Sequence, residues 1–410
     1  VVLVFLVLLY FIVIYRVYYL LNNNDLIWLT IYSTTTALFL LTRILVSFFY
    51  NDHHKSKLKI KYPSVSFVIS CKNEEDSISK TITACFNSDY PAEMNCIAID
   101  DGSTDKTWEM MIESKKEYKD KLEIIKFYKN LGKREGMAAG VKASNNEIIV
   151  FVDSDSFVEA NAVRIMVEHF MIDKNIGAVS GNTLVYNDNV NLLTKMQSAR
   201  YGVSFDIFKS AESVFGCVTC CPGCFSAYRR SAILEVIDDW LNQSFLGSKS
   251  TFGDDRSLTN YVMRKWQILY CRHAVAKTIV PENYSKFFKQ QLRWKKSWIR
   301  EGFFNAGKIM WRKNILASAA FYINITLPIF GPIILFRTLF WNPLVSNDLP
   351  LFFMFGIVAM SGMFGLYYYL ISANKYWWHV IEFSVFYALV LVWQMPYAIL
   401  TVKNTKWGTR

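Results

Sequence analysis

Five long apolar runs, two at the start of the chain and three at its end, constrain this sequence more than any other feature. Residues 1–21 carry one charge, Arg16, and residues 26–50 carry only Arg43. Residues 315–340, 351–372 and 376–402 are again apolar and rich in Phe, Tyr and Trp. A helix needs roughly 20 apolar residues to cross a bilayer core, so each run is long enough to span. Neither N-terminal run has the short length and small-residue cleavage site of a signal peptide. The chain opens on Val1 rather than Met, which indicates that its start is missing. Between the clusters, residues 51–314 are ordinary in charge and patterning and large enough for one soluble domain.

Lysines set the expected orientation. "HHKSKLKIKY" carries Lys55, Lys57, Lys59 and Lys61, whereas "NNND" between the first two runs is not basic. The positive-inside rule then places the middle domain in the cytoplasm of a multi-pass plasma-membrane protein. The tail carries Lys403, Lys406 and Arg410, so it too is expected inside, with the last run broken at Pro396 and turning back. The net charge of +11 fits lipid headgroups or an anionic substrate. Nucleic acid is excluded, because the basic residues are dispersed and no aromatic-interleaved basic stripe occurs.

In the middle domain, "SVSFVIS" reads as a strand before polar "CKNEED", and residues 75–87 follow a helical pattern. "MNCIAIDDGSTDKT" is a strand ending on Asp100 and Asp101, followed by a turn and a helix to about Lys116. "KLEIIKFYK" and "EIIVFVDSD" are two further strands. Alternating strands and helices imply a mostly parallel, doubly wound α/β sheet, whose ligands sit beyond the C-terminal strand ends. Both acidic clusters, "IDDGSTD" and "VDSD", lie at such ends. Carboxylates gathered there repel unless a cation sits between them, and Mg2+ or Mn2+ held by one or two carboxylates plus substrate phosphates meets that need. Asp also caps helices and forms turns, which either cluster alone would satisfy.

Taken in order, "CKNEE", "DDGSTD", "DSD", "GDDRSLTN" and "QQLRW" resemble a family 2 glycosyltransferase of the GT-A fold. The set is most similar to the processive polysaccharide synthases. "NQSFLG", "FGDDRSLTNY", "KQQLRWKKSWIRE" and "WGTR" resemble bacterial hyaluronan synthases. The resemblance implies two N-terminal transmembrane helices in 1–50, a cytosolic GT-A domain in 51–280 and amphipathic interfacial helices in 281–314. A C-terminal transmembrane region in 315–402 and a gating tail in 403–410 would follow.

It also implies roles. Asp155 would hold the metal, and Asp153 would support it and bind nucleotide, with Glu74 and Asp101 on the nucleotide side. Lys133 and Arg134, in "NLGKREG", would meet the pyrophosphate, although a solvated charge pair reads the same way. Asp255, with Asp254 beside it, would be the general base. Gln290, Arg293 and Trp294 are spaced to share a helix face; Arg293 would clamp phosphate, and Gln290 and Trp294 would meet the acceptor sugar. Residues 286–312 also read as a basic amphipathic helix at the membrane interface.

"CVTCCPGCFSAYRR" holds Cys217, Cys220, Cys221 and Cys224 within eight residues, too close for the two separated pairs of a structural zinc site. By resemblance it is the acceptor-side loop, with Cys221 and Cys224 near the acceptor. Trp407 would sit in the gate over the nucleotide. Lys72 stands where the family's first motif usually has Tyr, and Pro222-Gly223 departs towards the chitin synthases. The expected activity is processive, inverting transfer from UDP-sugars to a growing polysaccharide by a single subunit among membrane lipids. The expected product is hyaluronan from UDP-GlcNAc and UDP-GlcA. The alternatives are a chitin or chito-oligosaccharide synthase, a glucuronic-acid capsule synthase, and a single-sugar transferase to a lipid phosphate.

Overall fold

The structure is a computed structural model that describes Ile14 and residues 27–52, 61–346 and 350–404. The first apolar run, apart from Ile14, and the tail from residue 405 lie outside the described residues, so the first span and the Trp407 gate cannot be placed.

Ten strands form in the middle domain: β1 (Val65–Cys71), β2 (Met94–Asp101), β3 (Leu122–Phe127), β4 (Ile148–Phe151), β5 (Ser156–Val158), β6 (Ile176–Val185), β7 (Ser226–Arg229), β8 (Ser244–Phe245), β9 (Ser248–Lys249) and β10 (Gln267–Thr278). Eight make one sheet in the order β3-β2-β1-β4-β7-β6-β10-β5, and β8 and β9 form a small hairpin. The four strands read from the sequence are those around β1, all parallel. Beyond β4 the sheet is mixed: β7 runs antiparallel to both β4 and β6, and β10 is parallel to β6 but antiparallel to β5.

Side-chain alternation builds two cores from one sheet. Val68, Ile97, Ile99, Ile149 and Phe151 point to one face. Phe67, Ile69, Cys96, Ala98, Ile148 and Val150 point to the other. Helix α1 (Ile27–Ser47) precedes the sheet. α2 (Ile78–Phe86), α3 (Thr107–Tyr118) and α5 (Ala162–Ile172) cover the second face with Ile78, Ile82, Met111, Val163 and Met166. α4 (Lys133–Ala143) covers the first face with Met137, Ala138 and Val141. α6 (Leu192–Val203) starts at a capping box, with Asn191 and Thr194 bonding each other's backbone N–H. α7 (Asp254–Met263) and α8 (Tyr284–Arg300) follow, and α8 runs on through wider turns to Met310.

Among the described residues, three helical segments are long and apolar enough to cross a membrane: Leu29–Ser47, Ile315–Val345 and Phe353–Ser372. They belong to α1, α9 (Ile315–Phe336) with its continuation, and α10 (Leu351–Ser372). The last apolar run forms α11 (His379–Leu389) and α12 (Gln394–Leu400), bent by 44° at a short break. The break falls at residues 390–393 rather than at Pro396. Pro396 sits in the first turn of α12, where its missing N–H has no intrahelical partner to lose.

The sheet domain and the apolar helices share packing. α6 lies against α10, and a Cβ on Gly202 would come within 1.9 Å of the Tyr368 ring. No side chain fits there without moving one helix. Gly202→Ala is expected to destabilise by about 1–3 kcal/mol as an overpacking change. Thermal unfolding in detergent should show that loss, largely recovered when Tyr368→Ala is added.

Candidate active site

β1 pairs in parallel with β2 on one side and β4 on the other, so the acids that end β2 and follow β4 emerge at one edge of the sheet. Asp101 uses both carboxylate oxygens. They accept the backbone N–H groups of Leu131 (2.6 Å) and Gly132 (2.9 Å). Burial pushes its pKa up, outweighing those two donors and nearby Lys72. Asp101 thereby holds the turn that launches α4. Glu74 is also engaged locally: its N–H donates to Thr107 Oγ1 (2.7 Å), and its carboxylate accepts from Ser77 Oγ (2.9 Å).

The turn aims Lys133 across the cleft, where its ammonium donates to Asp153 Oδ1. Burial alone would lower the Lys133 pKa. Asp153, Asp255 and Asp254 outweigh it and hold the ammonium above the usual lysine range. Three carboxylates from two segments thus act on one cation. Asp155 lies two residues beyond Asp153, half-buried, and its carboxylate accepts from Thr278 Oγ1 (3.4 Å) and Ser156 Oγ (3.5 Å). Asp153 and Asp155 offer hard oxygens, the donor chemistry of Mg2+ or Mn2+, and Lys133 shows that this pocket takes a positive charge.

Arg134 goes elsewhere. It turns into the interior and donates to Asp254 Oδ1 (2.8 Å), the Trp240 carbonyl (2.7 Å) and Gln243 Oε1 (3.0 Å). Gln243 in turn donates to Glu301, which pairs with Arg300 at 2.8 Å. Exposure is 4% for Arg134, 3% for Asp254, 2% for Arg300 and 0% for Glu301, so the four charges cancel inside the protein. Asp254 and Asp255 therefore separate in role. Asp254 is committed to the interior, whereas Asp255 stays half-buried at the cleft, one oxygen accepting the Arg256 N–H and the other 3.9 Å from Cys220 Sγ.

The cysteine loop closes the other side. A Cβ on Gly223 would lie 2.7 Å from Lys133 Nζ and 3.0 Å from Asp153 Oδ1, so the loop backbone runs directly over the charged pair. Cys221 is buried, its N–H donating to Thr259 Oγ1, and Cys224 contacts Thr183 Oγ1 at 3.2 Å. Cys220, which the sequence reading passed over, is the cysteine that meets Asp255.

α8 brings the Gln-x-x-Arg-Trp segment to the same region. Trp294 lies 6.4 Å from the Tyr201 ring, and Gln290 Oε1 is buried with no hydrogen-bond partner among the described residues. The helix also supports the "FGDD" turn. Gly253 has φ +75°, and a Cβ there would collide with Ser297 Oγ at 1.9 Å, while Arg300 donates to the Phe252 carbonyl. Gln243, Arg300 and Glu301 lie in "NQSFLG" and "KSWIRE", segments that stand out in the sequence without revealing that they bond to one another.

Residues 66–237 match Glycosyl transferase family 2. The chain carries a family 2 glycosyltransferase domain. An N-acetylglucosaminyltransferase of Neorhizobium galegae is 33% identical over 58% of this chain and 55% of its own length, so the match spans about half of that relative. A hyaluronan synthase of Streptococcus pyogenes is 28% identical over 93% of this chain and 90% of its own. Among solved structures, a mannosyltransferase of Pyrobaculum calidifontis, in complex with GDP-Man and Mn2+, superposes with a TM-score of 0.53. That match has 17% identity and covers 88% of this chain and 99% of the neighbour, which establishes a shared GT-A-like fold.

Two predictions arise from the buried network and α8. Arg134→Ala strands Asp254 and Gln243 in the interior and should cost about 3–5 kcal/mol in unfolding experiments. Lys295 on α8 is buried and donates to Gln394 Oε1 at 3.1 Å. Burial, then Arg200, lowers its pKa to about 7. An unfolded lysine titrates near about 10.4, so the unfolded chain binds more protons between those values and stability rises with pH across that window. Lys295→Met should flatten that rise in thermal unfolding curves collected from pH 7 to 10.

Proposed function

We propose that this protein is a processive, inverting transferase that builds a polysaccharide from UDP-sugars at a membrane. The observation that carries the reading is the meeting of Asp153 and Asp255 at Lys133, with Asp155 two residues beyond Asp153, on a site backed by an amphipathic helix that leads into the apolar α9. The acceptor hydroxyl lies against the Cys220–Pro222 loop and Trp294. Its oxygen attacks the anomeric carbon on the face opposite the nucleotide. The carbon–phosphate oxygen bond breaks as the hydroxyl proton passes to the outer oxygen of Asp255, and UDP departs. Asp153 and Asp155 would hold Mg2+ or Mn2+, which when bound neutralises charge on the leaving pyrophosphate. Lys133 then moves from Asp153 to a phosphate oxygen. Asp101 and Glu74 hold the nucleotide-side turns in place.

The product we assign is hyaluronan, from UDP-GlcNAc and UDP-GlcA, because the hyaluronan synthase relative aligns over nearly the whole of both chains. The N-acetylglucosaminyltransferase relative, with higher identity over a shorter match, favours a second reading in which UDP-GlcNAc alone is polymerised.

Purified protein given Mn2+ and both UDP-sugars should yield a high-mass polymer that hyaluronidase degrades, with neither sugar sufficient alone. Polymer from UDP-GlcNAc alone, cut by chitinase, would replace the product assignment with the second reading. Asp255→Asn should lower transfer by about 10²–10⁴-fold while leaving UDP affinity unchanged. Full polymer synthesis by that variant would remove Asp255 as the base.

A further inference from the structure

Two histidines, His169 and His273, contact Asp52. Asp52 lies five residues beyond the end of α1, where the chain leaves the apolar helix for the sheet domain. His169 projects from α5. Cys271 and His273 come from the irregular stretch of β10 between Tyr270 and Val275, two residues apart and so on one side of the strand.

The ligand atoms of Asp52, His169 and Cys271 all lie within 4.8 Å of one another. His273 Nε2 is 3.9 Å from Asp52 Oδ2. His169, Cys271 and the Asp52 carboxylate are buried, whereas His273 is well exposed, so the cluster is closed on three sides and open on one.

The hydrogen bonding at His169 sharpens the argument. Its Nδ1 lies 3.2 Å from the Ile165 carbonyl oxygen, which can only accept, so Nδ1 carries the proton. Nε2 faces Asp52 Oδ1 at 3.2 Å. A proton on Nε2 makes that contact an ion pair; with Nε2 unprotonated, two electron-pair donors face each other and a positive charge must sit between them. A borderline-soft dication that takes mixed oxygen, nitrogen and sulfur donors in a tetrahedron would fill that place and engage the Cys271 thiolate as well. A ring N–H fixed by a backbone carbonyl is also the usual support of a metal-ligating histidine.

We propose that Asp52, His169, Cys271 and His273 form a zinc site that fastens the exit of α1 to the edge of the glycosyltransferase sheet. Neighbouring contacts serve the same junction. Tyr50 Oη donates to the Tyr270 carbonyl (2.9 Å) and accepts the Arg272 N–H (3.2 Å), and Arg272 pairs with Asp206 at 3.0 Å. The site would set the angle between membrane helix and sheet and take no part in sugar transfer.

Cobalt substitution of the full-length purified protein tests this with a readout that does not depend on activity. One equivalent of Co2+ should bind with a thiolate-to-cobalt charge-transfer band, and Zn2+ should displace it. Cys271→Ser should abolish the band, and Cys224→Ser, beside the transfer site, should leave it intact. His273→Ala changes an exposed side chain and spares the fold; it should weaken Co2+ binding at least tenfold. Absence of the band, its survival in Cys271→Ser, its loss in Cys224→Ser, or unchanged affinity in His273→Ala would each overturn the four-ligand site. In the first case the contact is an Asp–His ion pair sharing a proton.

Discussion

The buried ion pair between Arg134 and Asp254 is the interaction on which the rest of the catalytic edge depends. Arg134 sits one residue from Lys133, and Asp254 sits one residue from Asp255. Holding the inner members of both pairs together in the core therefore sets where the outer members point. The same guanidinium reaches Gln243, which reaches Glu301 and Arg300, so four segments far apart in sequence share one hydrogen-bonded unit. A buried charge pair contributes little net stability against an apolar substitute, because desolvation offsets most of the attraction. Its value here is positional.

That unit links chemistry to the membrane. Arg300 and Glu301 close α8, and Ser297 and Arg300 brace the "FGDD" turn from below. Any tilt of α8 would move Asp255 relative to the carboxylates after β4. Helix α8 and the "FGDD" turn are therefore one mechanical body. Gly202 against Tyr368 makes a second rigid contact between the domain and α10.

At the cleft, charge balance governs. Asp153, Asp254 and Asp255 lie close enough to raise the affinity of Lys133 for its proton, and Arg134 neutralises only Asp254. The remaining negative field has the sign to receive a cation beside Lys133. The Gly223 backbone lies against this pair, so a side chain at that position would crowd both partners.

Much of this was legible in the sequence. Apolar length marked the three spanning helices that are described. Alternation in "SVSFVIS" and the apolar runs of "MNCIAIDD", "KLEIIKF" and "EIIVF" marked β1 to β4, and the acids at the ends of two of those strands do emerge at one edge of the sheet, because local pattern and strand direction decide such features. β6, β7 and β10 escaped, since their pairing depends on partners across the sheet, and so did the position of the break in the last apolar run, which lies between α11 and α12 rather than at Pro396. Arg134 read as a partner of phosphate and proved to be an interior residue, and Cys220 rather than Cys221 or Cys224 proved to face Asp255. The convergence of Asp52, His169, Cys271 and His273 left no mark in the sequence either. The chain alone determined which chemistry it carries and at which strand ends. Only the tertiary structure decided which of two adjacent charges faces the cleft and which is buried, because that choice rests on contacts between residues more than a hundred positions apart.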